Sequence, residues 1–321
     1  MEIVRDPLPS SDLPRSGVVT IGNFDGVHRG HQLLLAGAIG RAKELGAPAV
    51  ALTFEPHPEK VLRPEAGLKL VTTRMQKAQL LERIGVATLV EIGFDRRFAA
   101  TPADTFAREF LFGRLAPAEV RLGTNFRFGA RRSGDVTVLS AIGRELGFSV
   151  VGVEPLLDGD EVISSTRVRR EIAHGRVEEA WRLLGRPFYV DGAVYRGERM
   201  GRQLGFPTIN IEVENELLPA HGVYITAVEI PSFSRVFPST TNIGVRPTVY
   251  ENYRVTVESH VLDFSGNVYR EPVRLFFLRR LRDEMVFPSS VELVAQIGRD
   301  VETTRLYFAH QGMPNGELVR R

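Results

Sequence analysis

The pattern of apolar residues changes character once, near residue 185, and that change points to two unlike folds in series. Before it, short apolar runs alternate with longer amphipathic segments. "GVVTIGNF", "AVALTF", "ATLVEIGF", "EVRLG" and "SVVGVEPL" read as strands. "HQLLLAGAIGRAKELG", "TRMQKAQLLERIG" and "PADTFAREFLFGRL" read as helices, the first ending at Gly46. Short apolar strands joined by helices predict an α/β domain, a doubly wound parallel sheet with crossover helices. After the change come "DGAVYRG", "PTINIEV", "GVYITAVEI", "VFPSTTNIGV", "YRVTVESHVLDF" and "PVRLFFLRRL", strand-like runs separated by Gly, Pro or Asn. One helix, "SVELVAQIGRDVETTRLYFA", follows them. This second half predicts a small antiparallel β-barrel with a terminal helix. The boundary falls in "LLGRPF", where Gly185 ends a helix and Pro187 opens the next region, giving domains 1–185 and 186–321. A length of 321 residues suits two such domains.

Composition removes several chemistries. There is no cysteine, so disulfides, thiolate nucleophiles, iron–sulfur clusters and cysteine zinc sites are excluded. Lysine occurs only at Lys43, Lys60, Lys69 and Lys77, and no G-x-x-x-x-G-K-[ST] string is present, which excludes a P-loop. Phosphate in the second half must therefore be met by backbone amides, arginine or a metal ion. A formal net charge of +2 gives no ground for a nucleic-acid or membrane partner. The first residues carry no apolar leader, and no apolar run reaches the roughly 18 residues of a membrane span. A cytoplasmic protein is expected.

The string "TIGNFDGVHRGH" spans residues 20–31, between the first strand and the first helix. Residues 22–26 make a tight turn, and ligands of open α/β sheets sit beyond the carboxyl ends of strands. A backbone turn entering a helix offers N–H groups and the positive end of the helix dipole to an anion. His28 and His31 are three residues apart and can share one face of the first helical turn. Two imidazoles there can hydrogen-bond a phosphate and stabilise charge in its transition state. The same pair also fits a capped turn with one solvated ring, or two zinc ligands, although no third ligand cluster lies nearby. In "ISSTRVRREIAHG", Ser165 or Thr166 can cap a helix that begins beside Arg167 and Arg169. The prolines of "FEPHP" fit the end of a strand, with His57 in the turn.

In the second half, "GERMGRQLGFPTINI" spans residues 197–211. Gly201 and Gly205 bracket a loop and Pro207 fixes the chain before a strand. Thr208 and Asn210 then point the same way, because strand side chains alternate. A hydroxyl and an amide so placed suit a Mg–phosphate group; they equally suit the wet face of a hairpin. Glu258 shares its strand face with Thr256, opposite Val255 and Val257.

Taken whole, the string "GNFDGVHRGH" resembles the signature of nucleotidyltransferases related to class I aminoacyl-tRNA synthetases. With "FEPHP" (54–58), "GTNFRFG" (123–129), "RRSGD" (131–135) and "ISSTRVR" (163–169) in order, the first half resembles the bacterial bifunctional riboflavin kinase/FMN adenylyltransferases. "GRQLGFPTIN", "GVYI", "TNIGVRPT" and "VESHVLDF" extend that resemblance through the second half as a riboflavin kinase. It implies two ATP-dependent reactions, riboflavin to FMN and FMN to FAD, with riboflavin, FMN and ATP as substrates and Mg²⁺ as cofactor. By position, it places ATP for adenylyl transfer at Gly22, Phe24, Gly26, His28, His31, Asn125, Ser165, Thr166 and Arg169. Pro56 and Pro58 would border FMN. ATP in the kinase site would meet Gly201, Gly205, Pro207, Thr208 and Asn210, the last two with the metal. Glu258 would be the general base, and Arg282 of "LRDEMVF" would lie on the flavin side. Two positions depart from the pattern: Asn125 stands where many relatives carry Asp, and Arg270 where the family usually has Gly. The readings that compete are another nucleotidyltransferase, for pantetheine phosphate or nicotinate mononucleotide, and a non-catalytic flavin-binding protein. The first would leave the barrel motifs unexplained.

Overall fold

The computed structural model describes residues 1–7, 13–197, 200–246 and 254–312. Its contacts divide the chain into two compact units, Met1–Lys69 with Arg74–Ser165, and Leu70–Thr73 with Thr166–Arg321.

The first unit is built on six parallel strands: β1 (Glu2–Arg5), β2 (Val18–Ile21), β3 (Ala49–Glu55), β4 (Thr88–Gly93), β5 (Glu119–Gly123) and β6 (Ser149–Val153). They lie in the order β1-β4-β3-β2-β5-β6. Residues of β2 and β3 are buried almost throughout, because both faces of such a sheet are covered. Val50, Leu52 and Phe54 enter one core, and Ala49 and Ala51 of the same strand enter cores on the other face. The strand order reverses between β2 and β5, with β3 and β4 on one side and β6 on the other. Open α/β sheets generally bind ligands in the crevice beyond the carboxyl ends at such a switch point. The segments that leave β2 and β5 there are residues 22–28 and 124–129, both singled out in the sequence. A short hairpin, β7 (Leu157–Asp158) and β8 (Glu161–Val162), follows the sheet.

In the second unit, β9 (Phe188–Tyr195), β10 (Ile209–Val213), β11 (Gly222–Ile230), β12 (Arg235–Arg246), β13 (Arg254–Val261) and β14 (Pro272–Arg282) close into a barrel. Every pairing is antiparallel. Inside it, the Thr226 hydroxyl lies 2.7 Å from Ser239 Oγ and 2.6 Å from Thr241 Oγ1. Thr241 in turn donates to Ser259 Oγ at 2.9 Å. All four side chains are wholly buried, so each needs the others for its hydrogen bonds. Outside it, Tyr189, Ile225, Ala227, Phe276 and Leu278 pack with Phe308 of the terminal helix Ser290–Gln311. Trp181 of the helix Val177–Leu184 joins the same cluster, which is why that helix groups with the barrel.

The helix Val136–Leu146 and the β7–β8 hairpin were not read from the sequence, and two further elements depart from it. β1 was not expected; its four residues are mostly exposed, and it is held by parallel pairing to β4 rather than by an apolar face. The helix expected over "PADTFAREFLFGRL" is wound as a π-helix over Phe106–Phe112. That wider stretch sets Phe106 and Phe110 edge-on to Phe98, at 6.2 and 5.1 Å.

Arg270 takes φ 67°, the left-handed region its turn requires, and its N–H donates to the Val194 carbonyl at 2.8 Å. A residue with a Cβ is strained there by about 1 kcal/mol or more. Arg270→Gly is expected to stabilise the protein by roughly 0.5 kcal/mol, the unfolded chain's added freedom offsetting part of the gain. The check is the midpoint of urea unfolding at unchanged slope, and a fall in midpoint contradicts it.

Candidate active sites

The turn after β2 is shaped around one buried ring. Phe24 is completely buried at φ 51°, and Gly26 follows at φ 78°. A Cβ on Gly22 would stand 3.1 Å from the Phe24 ring, so the glycine leaves room for the ring to fold under the strand end. Asp25 is buried in the same turn, and its carbonyl accepts from the Ser165 hydroxyl at 2.9 Å. Ser165 is the first residue of the helix Ser165–Ala173, and its side chain ties that helix start to the turn. Thr166 is exposed in the first turn of this helix, and Arg169 lies half-buried one turn on.

The backbone N–H of His31 donates to His28 Nδ1 at 3.3 Å, making His28 the N-cap of the helix Arg29–Leu45. Because Nδ1 accepts, neutral His28 carries its proton on Nε2, where it is a donor. The two imidazoles stack, 3.6 Å between centroids and 18° between planes. His31 is not the solvated ring of the simple capped turn: its Nδ1 is buried without a hydrogen-bond partner. Burial first, and the neighbouring His28 second, hold its pKa well below the ordinary 6.5. Across the switch point, exposed Asn125 turns its Oδ1 back over Gly123, 2.9 Å from where a Cβ would stand. At "FEPHP", β3 ends at Glu55, Pro56 is exposed, and His57 caps a short helix opened by Pro58. His57 Nδ1 accepts from the Glu59 N–H at 3.2 Å, a turn role as expected.

The second site is a cavity of about 400 Å³ on the outer face of the barrel, beneath the terminal helix. Gly201, Thr208, Glu258 and Arg282 all line it. Gly205 (φ 87°) and Pro207 belong to the loop that leads into the cavity wall, and neither lines it. That loop is pinned: Phe206 N–H donates to the Gly201 carbonyl at 2.8 Å, and His260 Nδ1 lies 2.8 Å from the Pro207 carbonyl. Asn210 is buried, is not among the residues that line the cavity, and sits opposite Glu258 in the β10–β13 register. Asn242 sits opposite Glu258 on its other side, in the β12–β13 register. Continuing round the barrel, Asn242 faces Val223, and Val223 faces Arg282. Five strands thus present one row, and directly opposite residues share a face. Sequence reasoning missed Asn242, although it lies in the quoted "TNIGV". It also missed Asp300, whose helix carries no local signal. The end of "TNIGVRPT" lies outside the described residues.

Among the described residues no group of three or more His, Asp or Glu is placed to hold a metal ion. No helix among them is long and apolar enough to cross a membrane.

Comparison with known proteins matches both halves. The FAD synthetase family model matches residues 10–167, and the riboflavin kinase model residues 184–308. A bifunctional riboflavin kinase/FMN adenylyltransferase of Pseudomonas fluorescens is 39% identical over 311 residues, 96% of this chain and 98% of that one. The Escherichia coli (strain K12) protein of the same name is 37% identical over 310 residues, with the same coverage. A solved structure from Streptococcus pneumoniae, described as a macrolide-efflux protein, aligns with TM-score 0.87 and 29% identity, covering 95% of this chain and 99% of that one.

A depressed His31 pKa has a definite sign for stability. The unfolded chain takes up the His31 proton near pH 6.5 and the folded chain only at lower pH. Below about pH 6.5 the unfolded state therefore binds more protons, and this contribution to stability is lost as pH falls toward the folded pKa. In an NMR titration the His31 ring is expected to stay neutral well below pH 6.5. His28→Ala should move it partway back, and protonation at the ordinary value in the unmutated protein contradicts the burial of its Nδ1.

Proposed function

The chain belongs to the family of bifunctional riboflavin kinase/FMN adenylyltransferases, and on that premise we propose which of its side chains carry each activity. The protein is an enzyme with two ATP-dependent reactions. In one, the ribityl 5′-hydroxyl of riboflavin attacks the γ-phosphorus of ATP, releasing ADP and giving FMN. In the other, an FMN phosphate oxygen attacks the α-phosphorus of a second ATP, giving FAD and diphosphate. We assign FMN adenylylation to residues 1–185 and riboflavin phosphorylation to residues 186–321. A cytoplasmic location, with ATP at hand, accords with both.

The kinase assignment is carried by one observation: Glu258, Thr208, Gly201 and Arg282, far apart in sequence, line a single cavity. Glu258 is the general base. The attacking hydroxyl must lose its proton as the new O–P bond forms and the β–γ bridging bond breaks. Its two register neighbours, Asn210 and Asn242, flank the carboxylate without competing for that proton. Thr208 and Asn210 supply neutral oxygens on the face that Glu258 shares, a donor set suited to Mg²⁺ that keeps most of its ligands from phosphate and water. When bound, Mg²⁺ neutralises charge developing on the transferred phosphoryl group. Arg282 meets the flavin.

Adenylyl transfer needs no proton acceptor at the attacking phosphate, so positioning and charge stabilisation dominate. His28 and His31 at the carboxyl end of β2 serve as hydrogen-bond partners of the ATP phosphates, with residues 22–26 bringing the backbone close. Asn125, Ser165, Thr166 and Arg169 complete the nucleotide side, and Pro56 and Pro58 border FMN. A different nucleotidyltransferase would use the same first half and leave the barrel's cavity without a role.

Two variants separate the activities. Glu258→Gln keeps shape and hydrogen-bonding reach but accepts no proton. It is expected to lose FMN formation by ~100-fold or more while still making FAD from supplied FMN. His28→Ala is expected to do the reverse, losing FAD formation by ~100-fold or more with riboflavin phosphorylation nearly unchanged. Products resolved by chromatography from riboflavin, Mg²⁺ and ATP decide both. A fall in FMN formation of less than about threefold removes Glu258 from the role of base. Thr208→Ala should raise the Mg²⁺ needed for half-maximal FMN formation, and an unchanged requirement removes Thr208 from the metal.

A further inference from the structure

Arg282 is held by an acid that no sequence motif announces. Its Nε lies 3.1 Å and its Nη2 2.8 Å from Asp300 Oδ2, with Nε also 3.3 Å from Oδ1. Its Nη1 donates to the Asp283 carbonyl at 3.0 Å. Gln296 Nε2 donates to Asp300 Oδ1 at 2.9 Å and steadies the carboxylate from one helical turn away. Asp300 is buried, and both it and Arg282 line the cavity. One turn further on, Thr304 bonds Thr240 of β12 at 2.9 Å and fastens the helix to the barrel independently.

A guanidinium has five N–H donors. Nε and one hydrogen on each terminal nitrogen are engaged, which leaves two donors on a plane that Asp300 has already fixed. An arginine so neutralised is poorly suited to attract a phosphate. It is well suited to a neutral ligand that offers adjacent acceptors, because its orientation is set before binding. Riboflavin is uncharged and its isoalloxazine edge carries such acceptors; FMN, the product, is an anion.

We propose that Asp300 is a specificity-determining positioning residue: by fixing and neutralising Arg282 it favours neutral riboflavin over anionic FMN in the kinase cavity. This rests on the flavin-side reading of Arg282. A bare guanidinium would attract the FMN phosphate across a cavity of this size, where the dielectric is well below that of water. Removing the acid therefore affects substrate and product in opposite directions. General loosening of the helix would weaken both together.

The test uses the full-length enzyme. Asp300→Asn is expected to raise the KM for riboflavin about tenfold and leave the KM for ATP within about twofold. It should also tighten inhibition of the kinase by FMN about threefold or more. Asp300→Glu should recover much of the riboflavin KM, and Thr304→Ala should lower the melting temperature without shifting the ratio of riboflavin to FMN affinity. A cooperative thermal unfolding transition and an unchanged KM for ATP report whether the barrel of each variant is folded. Riboflavin and FMN affinities that fall in parallel in Asp300→Asn overturn the proposal. Should that variant not fold, Gln296→Leu is expected to shift the same ratio in the same direction about twofold, and an unshifted ratio overturns it. Arg282→Ala with unchanged riboflavin affinity, measured by quenching of flavin fluorescence, instead sinks the flavin-side reading of Arg282. If Arg282→Ala weakens riboflavin while Asp300→Asn changes nothing, that reading stands and the role of Asp300 falls.

Discussion

Closure of the barrel is the constraint from which the kinase cavity follows. Six antiparallel strands that close on themselves leave no free edge, so no strand can slip without breaking both of its pairings. The period of two makes the stakes high, since a one-residue slip turns every side chain to the opposite face. In β13 such a slip would exchange Glu258 with Val257 or Ser259, sending the carboxylate inside. The interior guards against it chemically. Thr226, Ser239, Thr241 and Ser259 satisfy one another without water, and an apolar residue brought into their midst would strand buried hydroxyls. Hydroxyls inside thus keep Glu258, Asn242 and Asn210 in one row outside.

The first unit solves a different problem, placing polar groups at the end of a sheet that is apolar on both faces. The reversal of strand order supplies the crevice, and the chain spends its unusual backbone there. Phe24 and Val27 are both at positive φ, a conformation most side chains avoid, and Phe24 is completely buried. Its burial repays that strain, since a whole aromatic side chain leaves water. The outcome is that His28 emerges at the N-cap with its proton directed to Nε2, and His31 stacks on it with a buried nitrogen. Strain that clusters at a ligand crevice is where such strain is commonly found.

How much was legible follows from how local each signal is. Strands β2 to β6 of the parallel sheet were readable because they are short, mostly apolar runs between helices, and those of the barrel because turn residues separate them. β1 was not, since "EIVR" has no buried face to advertise and depends on pairing with residues about 85 positions away. The glycine, histidine and proline motifs marked both sites because each imposes a backbone shape on its own neighbours. The sequence could place Glu258 on the more polar face of its strand, yet not show that Asn242 and Asn210 flank it, because register is set by closure. Asp300 left no trace at all. Within "IGRD" it reads as one more polar residue on a helix, and only the packing of that helix on the barrel brings it to Arg282, eighteen positions earlier.

Charge shows how far compensation extends in the second unit. Arg274 pairs with Asp191, Arg282 with Asp300, and Arg305 with Asp263. Arg280 is met by Asp283 and by the carbonyl of His221. These four guanidinium groups are thus each committed to a partner in the chain itself, and the whole protein carries a formal net charge of only +2. Such a surface exerts little long-range pull on a polyanion. On the site assignment proposed above, ATP would be selected at short range, by loop amides and neutral oxygens, while riboflavin needs no field at all. A chain without lysine after Lys77 has no ready point charge for phosphate in this half. The economy is consistent: a site that must admit a neutral flavin and then release it as an anion is better served by donors than by uncompensated charge.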